Sequence, residues 1–510
     1  MNTDVIIAGA GPVGLFLACE LALAQCSVLI LEKEAQPDSP LKQLPFGIRG
    51  LSSPTITALY HRGMLHQLEL HKHMKQPHSI PGQPPKKPAG HFAGITLNYE
   101  DIDTSQWPYQ LPGAPDFGMM SEMHELETVL TKRAIEMGVQ IHRGLPITGF
   151  TQHQDGVTVQ AGDQTFTTNW LVGCDGSRSV VRKQGGFEFA GTEPEFTGYS
   201  CKVVLQDPEK LRPGRNVMPT GMYFQSQPGY LLLQDFDGGA FHSSDKPVTV
   251  AYLQTLLRRI AETDVTISSL EVATTWTDRA RQATAYRNGR VLLAGDAAHI
   301  HSPLGGQGLN LGIGDAMNLG WKLAATIHGT APAGLLDTYF TERHPIGAKV
   351  LDWSRAQVAI MQATPASRAL NAIFRDLINT RDGATYFAGR IWGIHNRYDL
   401  GDSHPLVGRI VPDFEFEDGT RLGELMQDGK GVLLDFTANS QFKSIAAGYN
   451  GRLLHTGKAA IDRLGLSVIL VRPDGIVAWA GEPATFQELP EVIFRWFGNI
   501  EHEEVPLTGN

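Results

Sequence analysis

Cysteine is scarce in this chain. There are four (Cys19, Cys26, Cys174 and Cys201) in 510 residues, none in a CxxC pair and none grouped with histidine at zinc spacing. That excludes a disulfide framework and a zinc module, and it fits a reducing, cytoplasmic setting. Basic charge is also short. Lys and Arg number 43 against 53 Asp and Glu, a net charge of −10, which argues against a nucleic-acid partner because phosphate binding needs a basic footprint. Long apolar runs are missing too. The one stretch that imitates a signal or membrane segment, residues 5–31, has no basic lead-in, is interrupted by Glu20 and carries glycines at fixed offsets. It reads as a buried strand, a turn and a helix, so no membrane partner is expected. No internal repeat, Ser-His-Asp grouping or paired-carboxylate site stands out, and no catalytic side chain is assigned. His299 and His301 form an HxH pair with no third ligand at a suitable offset. They read as structural, with no metal expected.

The length suggests roughly three domains. Residues 4–8 are a short β-branched run fit for a strand covered on both faces. A glycine turn follows, then a helix over 15–24 and a second buried strand over 27–31, which together make a βαβ unit. Further along, the patterns predict a helix over 122–137, a hairpin over 156–168, a buried strand at 170–173, strands at 200–205, 230–234 and 268–276 with a helix near 249–262, a buried strand at 290–294 and a helix over 308–328. Helices continue to about 395. A strand–helix–strand pattern then runs from about 404 to 498. The proline-rich segment 77–90 excludes a helix or central strand. It reads either as a long loop near a pocket entrance or as a surface excursion.

Three motifs carry chemistry. GAGPVG at 9–14 follows a predicted strand and opens a predicted helix. Gly9 permits a tight turn, Gly11 lets the backbone approach a pyrophosphate, and Gly14 lets helix and strand pack closely. The helix N-terminus then faces the phosphates. Glu32, 18 residues after Gly14, ends the second strand, where a carboxylate can accept from ribose hydroxyls. GCDGSRSVVR at 173–182 is a strand followed by a turn, and on the residues alone it reads either as a ligand-facing turn or as a capped loop. GDAAHIHSPLGGQGLN at 295–310 follows another buried strand. Asp296 there can bond a ribityl hydroxyl. The side-chain-poor loop 303–308 lets backbone lie against a flat ring, and the helix beginning at Gly308 aims its positive end at charge developing on that ring.

In this order and spacing the motifs resemble those of class A FAD-dependent monooxygenases of the para-hydroxybenzoate hydroxylase fold. The aromatic polyketide hydroxylase and rifampicin monooxygenase subgroup is the most similar. Residues 287–322 and DTYFTERHP at 337–345 carry the likeness furthest. The resemblance implies an α/β architecture: a Rossmann-like FAD-binding domain (1–75, 111–185 and 281–345), an inserted β-sheet substrate domain (76–110 and 186–280), a helical connection (346–403) and a thioredoxin-like domain without CxxC (404–500). It implies that Gly9, Gly11, Pro12, Val13, Gly14, Glu32 and Lys33 hold the ADP half of a non-covalent FAD. Arg49 would lie near the pyrophosphate and flavin, Asp175 would serve FAD and NAD(P)H handling, and Asp296 would bind the ribityl chain. Pro303, Gly306, Gly308, Leu309 and Asn310 would line the flavin ring. Two departures stand out. Relatives often place the arginine where this chain has Gly47, and a glutamine where it has Met123.

The same resemblance implies a cycle in which NAD(P)H, NADPH favoured, reduces the flavin, O₂ yields a C4a-hydroperoxide, and an electron-rich aromatic small molecule takes the distal oxygen. The protein supplies placement and water exclusion. A single GxGxxG fits a nicotinamide that binds without its own Rossmann domain. Phe92, Met222, Phe224, Leu232 and Phe241 are candidates to line the substrate side, each also readable as core. A homodimer is the candidate assembly. The WxWxIP signature of flavin halogenases is absent. Baeyer–Villiger oxygenation, antibiotic inactivation and a flavin scaffold without turnover are the alternative outcomes on the same fold.

Overall fold

A computed structural model describes residues 2–68, 87–111, 118–244 and 246–499; residues 77–86 of the proline-rich segment lie outside these. The central sheet runs, in spatial order, Arg287–Asn288, Val291–Leu293, Gln164–Gly173, Asn2–Ala8, Val28–Glu32 and Gln140–Arg143. From Val291–Leu293 to Gln140–Arg143 every neighbouring pair is parallel. Val5, Ile6 and Ile7 are fully buried, as a parallel strand sandwiched between helices requires. The helix Pro12–Leu23 begins on a proline, whose missing N–H costs nothing at that position, and ends before Gln25 in the left-handed region (φ 62°). Val28–Glu32 then returns parallel to the first strand, completing the βαβ unit.

Several expectations needed revision. The expected hairpin over 156–168 is present, but its second strand continues into the expected strand at 170–173 as one element, Gln164–Gly173, whose first half pairs antiparallel with Val157–Ala161 while the rest runs beside Asn2–Ala8. Nothing in the local pattern marks the change of partner. The helix Thr338–Met361 runs straight through the expected boundary at 345/346. Pro88–Phe92, at the end of the proline-rich segment, pairs only with Ile95–Asn98. That hairpin packs on the helices Pro365–Ile378 and Arg381–Ile391 rather than joining the larger inserted sheet. Phe189–Thr192 likewise belongs to a separate small sheet with Ala280–Ala283 and His299–Ile300.

The inserted sheet has five antiparallel strands in the order Gly214–Met218, Gly221–Gln227, Tyr230–Asp235, Thr197–Leu205, Ile267–Thr277. One face, with Tyr199, Cys201, Tyr223, Leu231 and Leu233, packs on the helix Val250–Ala261. Met222, Phe224 and Leu232 stand on the other face, because Met222 pairs with Gln234 and Phe224 with Leu232 across one register. Phe241 is on the helix side, stacked on Tyr252 with ring centroids 4.1 Å apart, so it does not line the face held by Met222 and Phe224. Phe92 is core, packed between Trp353, Phe374 and Phe387.

After residue 404 the chain builds a four-stranded sheet, Leu453–Thr456, Gly431–Asp435, Val468–Val471, Val477–Gly481, with the first pair parallel and the others antiparallel. Its core joins Leu311 and Trp321 of the helix Gly308–Ile327. Among the described residues no helix is long and apolar enough to cross a membrane.

Candidate active site

The glycine turn is built by contact. A Cβ on Gly14 would stand 2.1 Å from the Gly9 carbonyl oxygen, and one on Gly9 (φ +103°) 2.6 Å from the Cys174 oxygen. Only glycine lets the first helix approach the strand ends this closely. Gly11 has open space beside it and begins the helix with no side-chain cap, so the first-turn N–H groups are free to bind an anion. Val13 continues the contact. It packs against Gly295 and Gly312, whose own Cβ atoms would clash with it.

Glu32 accepts from Ala10 N (2.6 Å) with one oxygen and from Glu34 N (2.8 Å) with the other. Its carboxylate is thereby fixed at the edge of the glycine turn with lone pairs to spare. Lys33 is exposed and sits 3.6 Å from Glu34.

Arg49 lies on the short strand Ile48–Leu51, where its Nη1 donates to the carbonyls of Phe46 (2.7 Å) and Ile48 (2.8 Å). It has no ion pair with a carboxylate, and burial lowers its pKa. Gly47, where relatives often carry the arginine, cannot be substituted in this loop, since a Cβ there would fall 1.9 Å from the Lys42 oxygen. Met123 N donates to Gly47 O (2.8 Å) and opens the helix Met123–Glu136. A backbone bond thus braces the loop, and the thioether contributes no donor.

Asp175 is tied to the helix start that follows it. Its carboxylate accepts from Val180 N (2.7 Å), Val181 N (3.1 Å) and Ser179 Oγ. Both oxygens are engaged in capping the helix Val180–Gln184. From that helix Arg182 reaches back to the carbonyls of Ala297 and Ser177, tying the second motif to the third.

The third motif is anchored from beneath. Asp315, fully buried, accepts from Gly295 N (3.1 Å), His299 Nε2 (2.6 Å) and Arg343 Nε (2.8 Å). Burial alone would raise its pKa; His299 and Arg343 outweigh that and hold it below the usual range. His301 Nδ1 bonds the Ser302 carbonyl (2.8 Å), so both histidines serve the loop. Asp296 stays exposed in the groove, its Oδ1 3.9 Å from where a Gly308 Cβ would stand. The close groove walls raise its pKa, which His299 partly offsets.

The helix Gly308–Ile327 also starts without a side-chain cap. Asn310 stitches its first turn in place, accepting from Ser52 N (2.8 Å) and donating to Gly50 O (2.9 Å) and Gly306 O (3.0 Å). Gly306 N closes the loop on Pro303 O (3.1 Å), Pro303 faces solvent, and Leu309 packs on the nucleotide-side core. A cleft reaches Gln307 and Asn310 and continues past Arg343, Tyr398 and Asp474 toward the C-terminal part. Asp315, Arg343 and Gln357, which carry much of this scaffold, went unnoticed in the sequence. Each acts through a partner distant in the chain, so the local pattern carried no signal for them.

Two helix N-termini without side-chain caps, at Gly11 and Gly308, therefore belong to the segments that follow Asn2–Ala8 and Val291–Leu293, the two strands flanking Gln164–Gly173, and Val13 packs between them against Gly295 and Gly312. A carboxylate stands near each, Glu32 near one and Asp296 near the other. An extended dinucleotide with an acidic phosphate bridge and a flat ring fits that arrangement, and the fold and groove together define a dinucleotide-binding flavoprotein. The chain matches the profile of an FAD binding domain over residues 2–354 and that of the aromatic-ring hydroxylase C-terminal region over 404–499. It belongs to the family of FAD-dependent aromatic-ring hydroxylases. A Claviceps purpurea protein named as a monooxygenase is 45% identical over 94% of each chain. The solved structure of the OxyS anhydrotetracycline hydroxylase from Streptomyces rimosus superposes with a TM-score of 0.85 at 35% identity, covering 98% of this chain and all of that one. A dialkyldecalin synthase from Streptomyces rugosporus is 35% identical over 98% of this chain and 99% of its own.

Proposed function

We propose that this chain is an FAD-dependent monooxygenase that transfers one atom of O₂ to an electron-rich aromatic small molecule, with NAD(P)H as reductant and NADPH favoured. The observation that carries the reading is the pair of helix N-termini without side-chain caps, at Gly11 and Gly308, bridged by Val13 packed against Gly295 and Gly312, beside a loop whose Leu304 meets the apolar sheet face bearing Met222 and Phe224. Bound FAD supplies hydride acceptance and oxygen activation. The residues supply the rest. Gly9, Gly11, Pro12, Val13 and Gly14 cradle the pyrophosphate, Glu32 takes the ribose, and Lys33 lies at the outer rim. Arg49, with carbonyl partners only, offers its remaining N–H groups near the phosphate and ring. Asp296 takes the ribityl hydroxyls. Pro303, Gly306, Gly308, Leu309 and Asn310 hold the ring, and the helix dipole at Gly308 stabilises negative charge developing on it. Asp175 acts by positioning its loop. Met222, Phe224 and Leu304 keep water from the reacting face, which matters because water diverts activated oxygen to peroxide.

In this reading residues 1–75, 111–185 and 281–345 hold FAD, the sheet within 186–280 roofs the substrate, and 404–500 is a thioredoxin-like unit. The strand order of that last unit, second–first–third–fourth with a parallel first pair, supports the assignment. It holds no cysteine, so its part is structural. All four cysteines are unpaired, in keeping with a cytoplasmic enzyme.

One relative argues for a second reading: the dialkyldecalin synthase is named for a synthesis, not an oxygenation. The discriminating experiment loads the full chain with FAD and screens phenolic polyketides, rifamycins and tetracyclines, reading NADPH consumption and product mass together. Substrate-stimulated consumption with gain of one oxygen atom is expected. Product formation at constant mass without NADPH favours the synthase-like reading, and a protein that takes up no FAD defeats both.

A further inference from the structure

Arg215 lies on the edge strand Gly214–Met218, directly across from Phe224. Among the described residues its guanidinium has no hydrogen-bond acceptor and no ion pair, and Nη1 is sealed from solvent. Burial lowers its pKa, and no acid acts on it in the other direction. A buried cation without a counter-charge is costly, and a purely structural arginine is normally met by carbonyls or a carboxylate, as Arg62 and Arg472 are in this chain.

Beside it is His91, on the strand Pro88–Phe92. Its Nδ1 accepts from Gly94 N at 3.4 Å, which puts the ring proton on Nε2. That nitrogen too has no hydrogen-bond partner among the described residues. Burial and the neighbouring Arg215 hold the pKa of His91 down at about 4, so it stays neutral. Arg215 lies flat against the turn of this hairpin, its Nε 2.8 Å from where a Cβ on Gly94 would be. Ala93 N in the same turn donates to Gln357 Oε1 (3.0 Å), and Gln357 Nε2 to Leu304 O (3.4 Å). The two unpaired donors are therefore tethered to the 303–308 loop, at the border of the apolar wall made by Met222, Phe224 and Leu304.

We propose that Arg215 and His91 form a donors-only corner of the substrate site that binds a delocalised oxyanion, namely a phenol or enol oxygen flanked by a carbonyl. The inference rests on the monooxygenase reading and narrows its substrate class. A guanidinium fork matches two oxygens side by side, and charge-assisted bonds of this kind are stronger than neutral ones. An aromatic substrate held here as its anion presents an electron-rich ring, so orientation and activation coincide. Among the described residues no acid acts on Arg215 or His91 to repel the anion, and the apolar wall beside them accepts the rest of the ring system.

The test uses the FAD-loaded full chain and three probes in titration calorimetry: 2-hydroxy-1,4-naphthoquinone, a vinylogous acid ionised at neutral pH; its O-methyl ether, which is neutral; and 2-naphthoate. The hydroxy compound is expected to bind about tenfold or more tightly than the ether. Arg215→Met should reduce that preference to near unity, and Arg215→Lys, which keeps charge but loses the fork, should leave an intermediate preference. Naphthoate binding with the same dependence on Arg215 supports the corner and identifies a carboxylate as its source of oxygens. Equal affinity for anion and ether in the unmodified chain, absence of binding by either anion included, overturns the proposal, as does a preference untouched by Arg215→Met. Should that variant fail to fold, the unmodified chain and Arg215→Lys decide. FAD content and flavin reduction by NADPH, measured on the same preparation, separate failure of the corner from failure of the flavoenzyme reading.

Discussion

Gly14 is where the smallest change has the largest expected effect. A methyl group there would meet the Gly9 carbonyl at 2.1 Å, and neither partner can move without displacing the first strand or the first helix. Gly14→Ala is expected to lower stability by about 1–3 kcal/mol, the usual cost of overpacking, and to weaken FAD binding by about tenfold or more, read by thermal unfolding and by flavin fluorescence quenching. Unchanged FAD affinity would show that the turn is not the pyrophosphate cradle. Gly47 teaches the complementary lesson. The arginine common at that position in relatives is excluded by the Lys42 carbonyl, and Arg49, two residues later, is held by the Phe46 and Ile48 carbonyls instead. The loop between Lys42 and Gly47 is folded too tightly to carry a side chain at position 47.

Helix ends are used in two opposite ways. The ends at Gly11 and Gly308 are left uncapped, so their N–H groups and dipoles remain available for a ligand. The end at Val180 is closed by Asp175 and Ser179. Asp175→Ala is therefore expected to cost about 1 kcal/mol of stability through loss of the cap, measured by urea unfolding. Its effect on FAD binding should be small and indirect, acting through Arg182 and the Ala297 carbonyl. A large drop in FAD affinity with stability intact would instead make Asp175 a direct ligand. The inserted sheet shows a similar division between faces. One is closed by the helix Val250–Ala261, and the other carries Met222 and Phe224, packed toward the core around Phe92 and Trp353, with Arg215 across from Phe224.

Across the whole molecule, a buried charge network joins the flavin-side helix to the C-terminal sheet. Glu342 accepts from Arg472 through both oxygens (2.8 Å each) and lies 3.0 Å from Lys322, and Asp474 pairs with the same arginine. Burial would raise Glu342, but Arg472 and Lys322 together hold it down at about 2; burial lowers Lys322 to about 7. Because the folded pKa of Glu342 is below its ordinary 4.5, its contribution is complete above that value and is lost as pH falls toward 2. Glu342→Gln is expected to cost about 3 kcal/mol near neutrality, since it leaves buried cations short of a partner. In denaturant titrations at decreasing pH the gap between the two proteins should close below 4.5. A gap that persists at the acid end would mean that packing, not charge, makes the difference. The same network explains how a terminal unit without cysteine still bears on the site, since it clamps the helix whose first turn carries Asn310.

Much of the site was readable in advance because it is local. The glycine turn, Glu32, Asp296 and the helix at Gly308 are each specified by residues within a few positions of one another, so backbone sterics and strand burial place them wherever the sheet forms. Residues that act across the chain left no such mark. Asp315 meets Arg343 and His299, Gln357 ties Ala93 to Leu304, and Arg215 lies against Gly94. The pattern within Gln164–Gly173 could not reveal that one strand serves both a hairpin and the parallel sheet, and amphipathic alternation could not say that Phe241 stacks on Tyr252 of the helix while Phe224 packs toward the core around Phe92 and Trp353. Short-range patterns encode turns, caps and burial; which distant groups meet, and which donors are left without an acceptor, depends on long-range packing and exists only once the layers have closed on each other.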